Sequence, residues 1–368
     1  MSGSDLKKAR TRIDELDQQI QKLIAERATV ALDIRKIKAD AGTGAGKGND
    51  HYRPAREAEV LRRAIARNKD LKSPLSDEVM ARLMREVMSA CLALESPLAV
   101  SYLGPEGTYT QAAVYKHFGH QVSARVANAI DEIFRDVESG SATYGVVPIE
   151  NSTEGVVSST LDLLANTPLS ICGEVWLPVH HHLLSKHKRR QDIKKLYAHA
   201  QSFAQCRRWL DAKLPQAERI AVASNGLAAQ MVRKAGKGAA IAGAAAAELY
   251  NLGTLASNIE DDPNNTTRFL VIGRQNPETT GRDMTSLVMS AHKDRAGALF
   301  TLLEPFAQSA ISLTKIESRP SRRAAWDYNF FIDLEGHQDD EAVKKALTLV
   351  RSRAATFKVL GSYPRAVL

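Results

Sequence analysis

LAVSYLGPEGTYT, residues 98–110, runs from an apolar strand through a tight glycine and proline turn into a helix start. Four further stretches keep the same order of apolar strand, small or polar loop, then helix: TYGVVPIENSTEG (143–155), KKLYAHAQSFAQC (194–206), RIAVASNGLAAQ (219–230) and AAIAGAAAAELY (239–250). This is α/β logic, and sheets of that kind take ligands beyond the carboxyl ends of their strands. Glycine-rich turns that open helices add backbone N–H groups suited to an anion. GPEGTYT is not a P-loop, because the GK[ST] ending is missing.

Upstream of GluSerPro at 95–97 the pattern is helical. Ile13, Leu16, Ile20, Leu23, Val30, Ile34 and Ile37 recur at three- and four-residue steps, a heptad-like apolar seam. Arg27 interrupts that seam, and Arg10 and Lys38 flank it. A second helix starts at Pro54, a favourable first helical position, and a third at Ser76. The third carries Val79, Met80, Leu83, Met84, Val87, Met88, Cys91 and Leu92 on its apolar side, and Glu95 continues that stripe. Charges aimed at an apolar face are expensive unless an anionic ligand meets them. At 1.5 Å per residue, Arg27 and Lys38 stand roughly 16 Å apart, within reach of one small molecule, whereas Arg10 is roughly 40 Å from Lys38. If Arg10 and Lys38 serve one site, they come from different chains, and an interlocked dimer would also bury the thin seam.

The chain has 368 residues, room for two or three cores at roughly 150 residues each. With 44% hydrophobic and 25% charged residues, 22 Gly and 13 Pro, it is neither disordered nor fibrous. No apolar run approaches the ~20 residues of a membrane span, and three widely spaced cysteines without a CxxC pair point to a reducing, cytoplasmic location. Segment 1–96 holds 8 Lys and 11 Arg against 15 acidic residues, half of the chain's surplus of +8. A metal reading of His180, His181 and His182 is weak: in a strand only His180 and His182 share a face, and no acidic or Cys ligand sits at a supporting spacing. Cys91 and Cys206 lie in apolar helical contexts, where packing is their plainer role.

Beyond residue 283 the order is strand TSLVMSAH, helix GALFTLLEPFAQ, strand ISLTKIESRP, strand AWDYNFFIDLEG, helix DDEAVKKALTLVRSR and strand FKVLGSY. That βαββαβ sequence is the α+β ferredoxin-like arrangement.

The helical segment, through ARTRI (9–13), LIAER (23–27), KIK (36–38) and RPAREAEVL (53–61), resembles the all-helical class of chorismate mutases. That resemblance implies that Arg10, Arg27 and Arg56 grip the substrate carboxylates and ring region, that Glu57 binds the ring hydroxyl, and that Lys38 donates to the ether oxygen. Arg53, whose backbone N–H could serve with any side chain, Cys91 and Glu95 complete the implied lining. The rearrangement of chorismate to prephenate needs no nucleophile, metal or cofactor, only a folded substrate conformer and stabilised charge on the breaking ether oxygen. GPEGTYT, PIENSTEG (148–155), the 201–206 stretch and NNTTRFLVIG (264–273), in that order, resemble prephenate dehydratase, a two-lobed fold similar to periplasmic binding proteins. The resemblance makes Thr267 the catalytic hydroxyl, with Phe269 packed beneath it, and Thr108, Asn151, Gln205 and Ser224 the lining of the cleft. Ala198 stands where a serine is frequent. GALF (297–300) and ESRP (317–320) resemble the phenylalanine-binding motifs of ACT domains, which implies Phe bound by Gly297, Ala298, Leu299, Glu317, Ser318, Arg319 and Pro320 at a dimer interface.

The expected organisation is therefore a mutase at 1–96, a dehydratase at 98–275 and an ACT sensor at 284–363, without cofactor or metal, nucleic acid or membrane. The expected ligands are chorismate, prephenate and inhibitory L-phenylalanine, and the expected assembly is a homodimer or higher oligomer. Two alternatives stand beside it: a dehydratase with an inactive mutase segment, and a ligand-responsive transcription regulator. The regulator would need an exposed basic face and usually a helix-turn-helix, whereas residues 10, 27 and 38 lie on or beside the apolar seam. Glu95 can donate to the ether oxygen only when protonated. Mutase turnover is therefore expected to fall as pH rises, and Glu95→Gln to flatten that profile; an unchanged profile in the variant would remove Glu95 from the step.

Overall fold

The computed structural model describes residues 3–40, 52–292, 296–321 and 328–368. The stretch AGTGAGKGND at 41–50, whose glycine-rich sequence reads as a flexible loop between the first two helices, and the start of AWDYNFFIDLEG at 325–327 lie outside them.

Three helices come first: α1 (Gly3–Asp40), α2 (Pro54–Asp70) and α3 (Asp77–Glu95). Pro54 opens α2, and the Ser76 hydroxyl caps α3 by accepting from the Val79 N–H at 3.3 Å. Leu61, Ala81 and Met88 form a small core between α2 and α3. The 38-residue α1 is different, because its seam has almost no cover: Ile13, Ile20, Leu23 and Ile37 are 56%, 54%, 63% and 66% exposed.

The middle segment builds two lobes. The first comprises β1 (Ala99–Leu103), α4 (Tyr109–Phe118), β2 (Ser123–Ala127), α5 (Ile130–Ser139), β3 (Tyr144–Asn151), β4 (Gly155–Val156), α6 (Ser158–Asn166) and β5 (Ser170–Pro178). The chain then leaves to form the second lobe: β6 (His182–Ser185), β7 (Lys195–Ala198), α7 (Ala200–Gln205), α8 (Arg207–Lys213), β8 (Glu218–Ala221), α9 (Asn225–Ala235), β9 (Ala239–Ala242), α10 (Ala244–Leu249) and β10 (Gly253–Ala256). It returns as β11 (Thr266–Gly273), which inserts between β3 and β5 and runs antiparallel to both. The sheet orders are β2-β1-β3-β11-β5 and β10-β6-β9-β7-β8. The two lobes are thus joined by two crossings, and the second crossing delivers Thr267 as β11 begins.

The last segment is β12 (Asp283–Ser290), α11 (Ala298–Gln308), β13 (Leu313–Pro320), β14 (Tyr328–Glu335), α12 (Glu341–Arg353) and β15 (Thr356–Pro364), in sheet order β13-β14-β12-β15. That is the ferredoxin-like order expected from βαββαβ. One face of its sheet is packed under α11 and α12 through Leu287, Met289, Phe306, Ile332 and Val350. The other face joins the first lobe, where Met284, Val288, Phe331 and Tyr363 share a core with Ile133, Phe134, Leu164 and Ile171.

Contacts also tie the helical segment to the first lobe. Tyr52 is 2% exposed and its hydroxyl meets His117 Nε2 at 2.9 Å, while the Arg85 guanidinium donates to the His117 carbonyl. Burial, helped by Arg85, pulls the His117 pKa down to about 3, so the ring stays neutral. Where the last segment meets the first lobe, β15 approaches β5 so closely that a Cβ on Gly361 would fall 2.3 Å from the Ile171 carbonyl oxygen and 2.6 Å from its nitrogen. Gly361→Ala is expected to prise these strands apart and destabilise the chain by about 2–4 kcal/mol, measured as a fall in the denaturant midpoint. An unchanged midpoint would mean that the approach is not this tight in solution.

Candidate active sites

The cleft between the lobes has a volume of about 800 Å³ and is lined by Thr108, Asn151, Gln205, Ser224 and Thr267 together. Its walls are the carboxyl ends of β1, β3 and β7 and the loop after β8, where an α/β architecture concentrates polar loops. Thr108 and Ser224 cap α4 and α9: their hydroxyls accept from the Gln111 N–H at 3.5 Å and the Leu227 N–H at 3.1 Å. Both helices therefore begin at the cleft. The lobes touch at its mouth, where a Cβ on Gly226 would sit 2.7 Å from the Glu106 carbonyl oxygen.

Thr267 and Asn151 are register partners across β11 and β3. Asn151 Nδ2 donates to Thr267 Oγ1 at 2.8 Å and to Asn265 Oδ1 at 2.8 Å. The Asn151 Oδ1 accepts from the Thr153 hydroxyl at 2.6 Å and from the Thr153 and Glu154 N–H groups. Asn151 is thereby fixed, and the Thr267 hydroxyl, with one lone pair occupied, keeps its own proton as a donor. Phe269 is 2% exposed and joins the core of Tyr52, Val100, Tyr102 and Val271.

Gln205 reaches the same cleft from the second lobe. Its Oε1 accepts from His181 Nε2 at 2.8 Å, and its Nε2 donates to Thr153 Oγ1 at 3.2 Å and Glu154 Oε1 at 3.4 Å. With its Nε2–H given to Gln205, the His181 ring turns its Nδ1 lone pair to the Tyr109 hydroxyl at 2.9 Å, and the same hydroxyl lies 2.7 Å from the His180 carbonyl oxygen. Burial holds the His181 pKa below the ordinary imidazole value, so this side of the cleft is a neutral hydrogen-bonded chain. From sequence, His181 is weighed only as a metal ligand, and Tyr109 within GPEGTYT is not singled out as a cleft residue.

The histidine run differs from the expectation in one respect. β6 begins only at His182, because the His181 N–H donates to Glu260 Oε2 at 2.9 Å instead of to a neighbouring strand. His180 Nδ1 pairs with Glu260 Oε1 at 2.8 Å and His182 Nδ1 accepts from the Asn258 N–H at 3.3 Å. Among the described residues no cluster of three or more His, Cys, Asp or Glu is placed to hold a metal ion. Cys206 is buried between α7 and α8, and burial pushes its thiol far up. Ala198, at the end of β7, is fully buried.

In the helical segment, Glu57 on α2 faces Arg85 on α3 and Arg27 on α1. Burial raises the Glu57 pKa from 4.5 to about 7 against the pull of both guanidinium groups. Arg27 is half-buried, Cys91 is 5% exposed, and Glu95 is half-buried one turn further along α3. Arg10 is exposed on α1, roughly 25 Å from Arg27 along the axis. Arg53 is exposed at the N-cap of α2, and Arg56 is exposed and paired with Glu59 at 2.5 Å. The Lys38 side chain lies outside the described residues. Arg85 was missed: it lies among the apolar positions of α3, is 8% exposed and faces the only carboxylate expected at the α2 site.

In the last segment Gly297 caps α11 with φ of 76°, and Ala298 and Leu299 start the helix half-buried. Ser318 and Pro320 face outward on the edge strand β13, beside exposed Ile316. Glu317 is half-buried, and Arg319 turns to the first lobe, where its Nε lies 3.3 Å from Asp162.

Together these features define a two-lobed small-molecule enzyme domain carried between a helical module and a ferredoxin-like sensor. Three family descriptions match in that order: chorismate mutase type II over residues 9–96, prephenate dehydratase over 100–277 and the ACT domain over 285–348. A bifunctional chorismate mutase/prephenate dehydratase of Stutzerimonas stutzeri is 52% identical over the whole of both chains, and one of Aquifex aeolicus is 41% identical over 99% of each. The crystal structure of an Arthrobacter aurescens prephenate dehydratase in complex with L-Phe superposes with a TM-score of 0.68 at 34% identity, covering 73% of this chain and 90% of that one. The chain belongs to the family of bifunctional chorismate mutase/prephenate dehydratases.

The raised Glu57 pKa has a signed consequence. Between about pH 4.5 and 7 the folded chain holds a proton on Glu57 that the unfolded chain has released, so stability falls as pH rises through that window and levels off above it. Glu57→Gln is expected to gain stability relative to wild type across the same window, seen as diverging urea midpoints. Parallel midpoints would show that Glu57 ionises normally in the fold.

Proposed function

We propose that residues 1–96 convert chorismate to prephenate, that the cleft of 98–275 converts prephenate to phenylpyruvate, and that L-phenylalanine bound by 284–363 inhibits the second step. The observation that carries the dehydratase reading is the composition of the cleft. It joins the Thr267–Asn151 pair to two helix N-termini, and among the described residues no lysine or arginine lines it. The reaction breaks a ring C–OH bond and a ring C–CO₂⁻ bond, and the electrons of the second complete the aromatic ring as water and CO₂ leave. The Thr267 hydroxyl donates to the departing oxygen, while helix N-termini and neutral amides align the carboxylate. An ion pair to the departing carboxylate would be strongest in the ground state and would be lost as CO₂ forms. A site that binds through dipoles avoids holding the substrate back in that way.

For the mutase, Arg27, Glu57, Cys91, Glu95 and Lys38 would come from one chain and Arg10 from a second. The uncovered α1 seam supports this homodimer, since an apolar stripe of that length is stable in water when a partner helix buries it. Phe would lie where GALF of one sensor meets ESRP of the other. Three buried cysteines, none of them in a disulfide among the described residues, fit a cytoplasmic setting.

Pure protein given chorismate, with prephenate and phenylpyruvate followed with and without Phe, tests the whole assignment. Wild type is expected to form both products in sequence and to lose phenylpyruvate formation when Phe is added, with Phe binding measurable by calorimetry. Thr267→Ala should lower dehydratase kcat by about 100-fold or more with mutase turnover intact. Retained dehydratase turnover would remove Thr267 from the mechanism. Consumption of added prephenate without conversion of chorismate would identify an inactive mutase segment.

A further inference from the structure

Thr267 and Asn151 face the cleft, so their chain neighbours Arg268 and Glu150 point out of the opposite face of the same sheet. That face is covered by the sensor sheet. Arg268 and Glu150 are themselves register partners across β11 and β3, and on the sensor side Asp333 and Lys315 are register partners across β14 and β13. Both cross pairs are formed: Arg268 Nη1 to Asp333 Oδ2 at 2.5 Å, and Lys315 Nζ to Glu150 Oε2 at 2.6 Å. The four charges alternate around a rectangle, each ion pair tying one strand of the catalytic sheet to one strand of the sensor.

The rectangle is anchored at its Arg268–Asp333 end. Arg268 also donates to Glu174 Oε2 at 2.9 Å and to the Tyr363 hydroxyl at 2.9 Å, and the Ser286 hydroxyl donates to Asp333 Oδ1 at 2.5 Å. The side chains of Arg268 and Asp333 are only 6% and 13% exposed, so solvent screens that pair poorly, while Lys315 and Glu150 are 17% and 34% exposed. Lys315 stands two residues before Glu317, the first residue of the ESRP motif.

We propose that Arg268 is a positioning residue for Thr267, and that Phe inhibition reaches the cleft through the paired ion bridges Arg268–Asp333 and Lys315–Glu150. A displacement of β13 against β14 cannot leave both bridges intact without moving β3 or β11. Either strand carries one member of the Thr267–Asn151 pair at its next residue. This inference rests on the dehydratase and Phe assignments made above.

The test uses the full-length protein and four variants: Lys315→Met, Glu150→Gln, the combination of these two, and Arg268→Lys. In the first three, Phe is expected to bind within about threefold of wild type by calorimetry, while dehydratase activity remaining at saturating Phe rises at least about fivefold. The double variant should be no less sensitive than either single, because both remove the same bridge. Arg268→Lys should lower dehydratase kcat about tenfold or more with KM for prephenate within about twofold, mutase turnover reporting that the chain is folded. Wild-type inhibition in all three bridge variants, or effects that add in the double variant, would overturn the route. An unchanged kcat in Arg268→Lys would overturn the positioning role. A wild-type protein that neither binds Phe nor turns over prephenate would instead bring down the assignments beneath it.

Discussion

A guanidinium taken out of water loses several kcal/mol of hydration unless its donors are met, and Arg268 is where this chain accepts that demand. Two carboxylates and a tyrosine hydroxyl meet it, from β5 of the first lobe and from β14 and β15 of the sensor. Burial works against the charge, but Tyr363, Asp333 and Glu174 outweigh it and hold the pKa above its ordinary value. Because the partners come from two domains, neither can satisfy Arg268 alone. The sensor sheet is consequently docked in one register on the first lobe, with apolar burial around Phe331 and Met284 supplying adhesion and the arginine supplying direction. The close approach of β15 to β5 is part of that docking.

The two proposed sites treat carboxylates in opposite ways, and the difference follows from the chemistry. In the rearrangement both carboxylates remain carboxylates, so cations that grip them help to hold the folded conformer from start to finish. In the decarboxylating step one carboxylate must become neutral, and a cation on it would bind the substrate more strongly than the transition state. The helical segment accordingly gathers Arg27 and Arg85 around Glu57, whereas the cleft lining offers hydroxyls, amides and helix ends. The surplus of +8 is therefore no guide to either site.

Much of this was legible in the sequence, for reasons that differ by element. Strand–loop–helix units announce themselves because apolar strands and capping residues are local, and Thr108 and Ser224 are caps as well as lining residues. The sensor sheet order follows from βαββαβ because few topologies connect those elements without crossing. Arg85 was not legible, since it faces Glu57 on another helix and donates to a backbone carbonyl in another domain, and nothing local marks it. The role of Arg268 was hidden for the same reason: its partners stand 94, 65 and 95 residues away. His181 was misplaced by treating the run as regular strand, when Glu260, brought in by the second crossing, takes its N–H.

The long helix α1 sets a further constraint. Among the described residues it gains cover from its own chain around 27–28 and 31–32, and the apolar seam at Ile13, Ile20, Leu23 and Ile37 is open. Helix propensity and a few exposed ion pairs such as Arg12–Glu15 do not by themselves make an apolar stripe of that length comfortable in water. A second copy crossing the same seam would remove that surface and bring an Arg10 into a site whose other residues stand roughly 25 Å from the chain's own. On that reading assembly and mutase catalysis are one event: the burial that stabilises the helix is also what completes the cationic cage. The dehydratase cleft is lined by residues of one chain, so on the same reading dilution is expected to cost mutase turnover before dehydratase turnover.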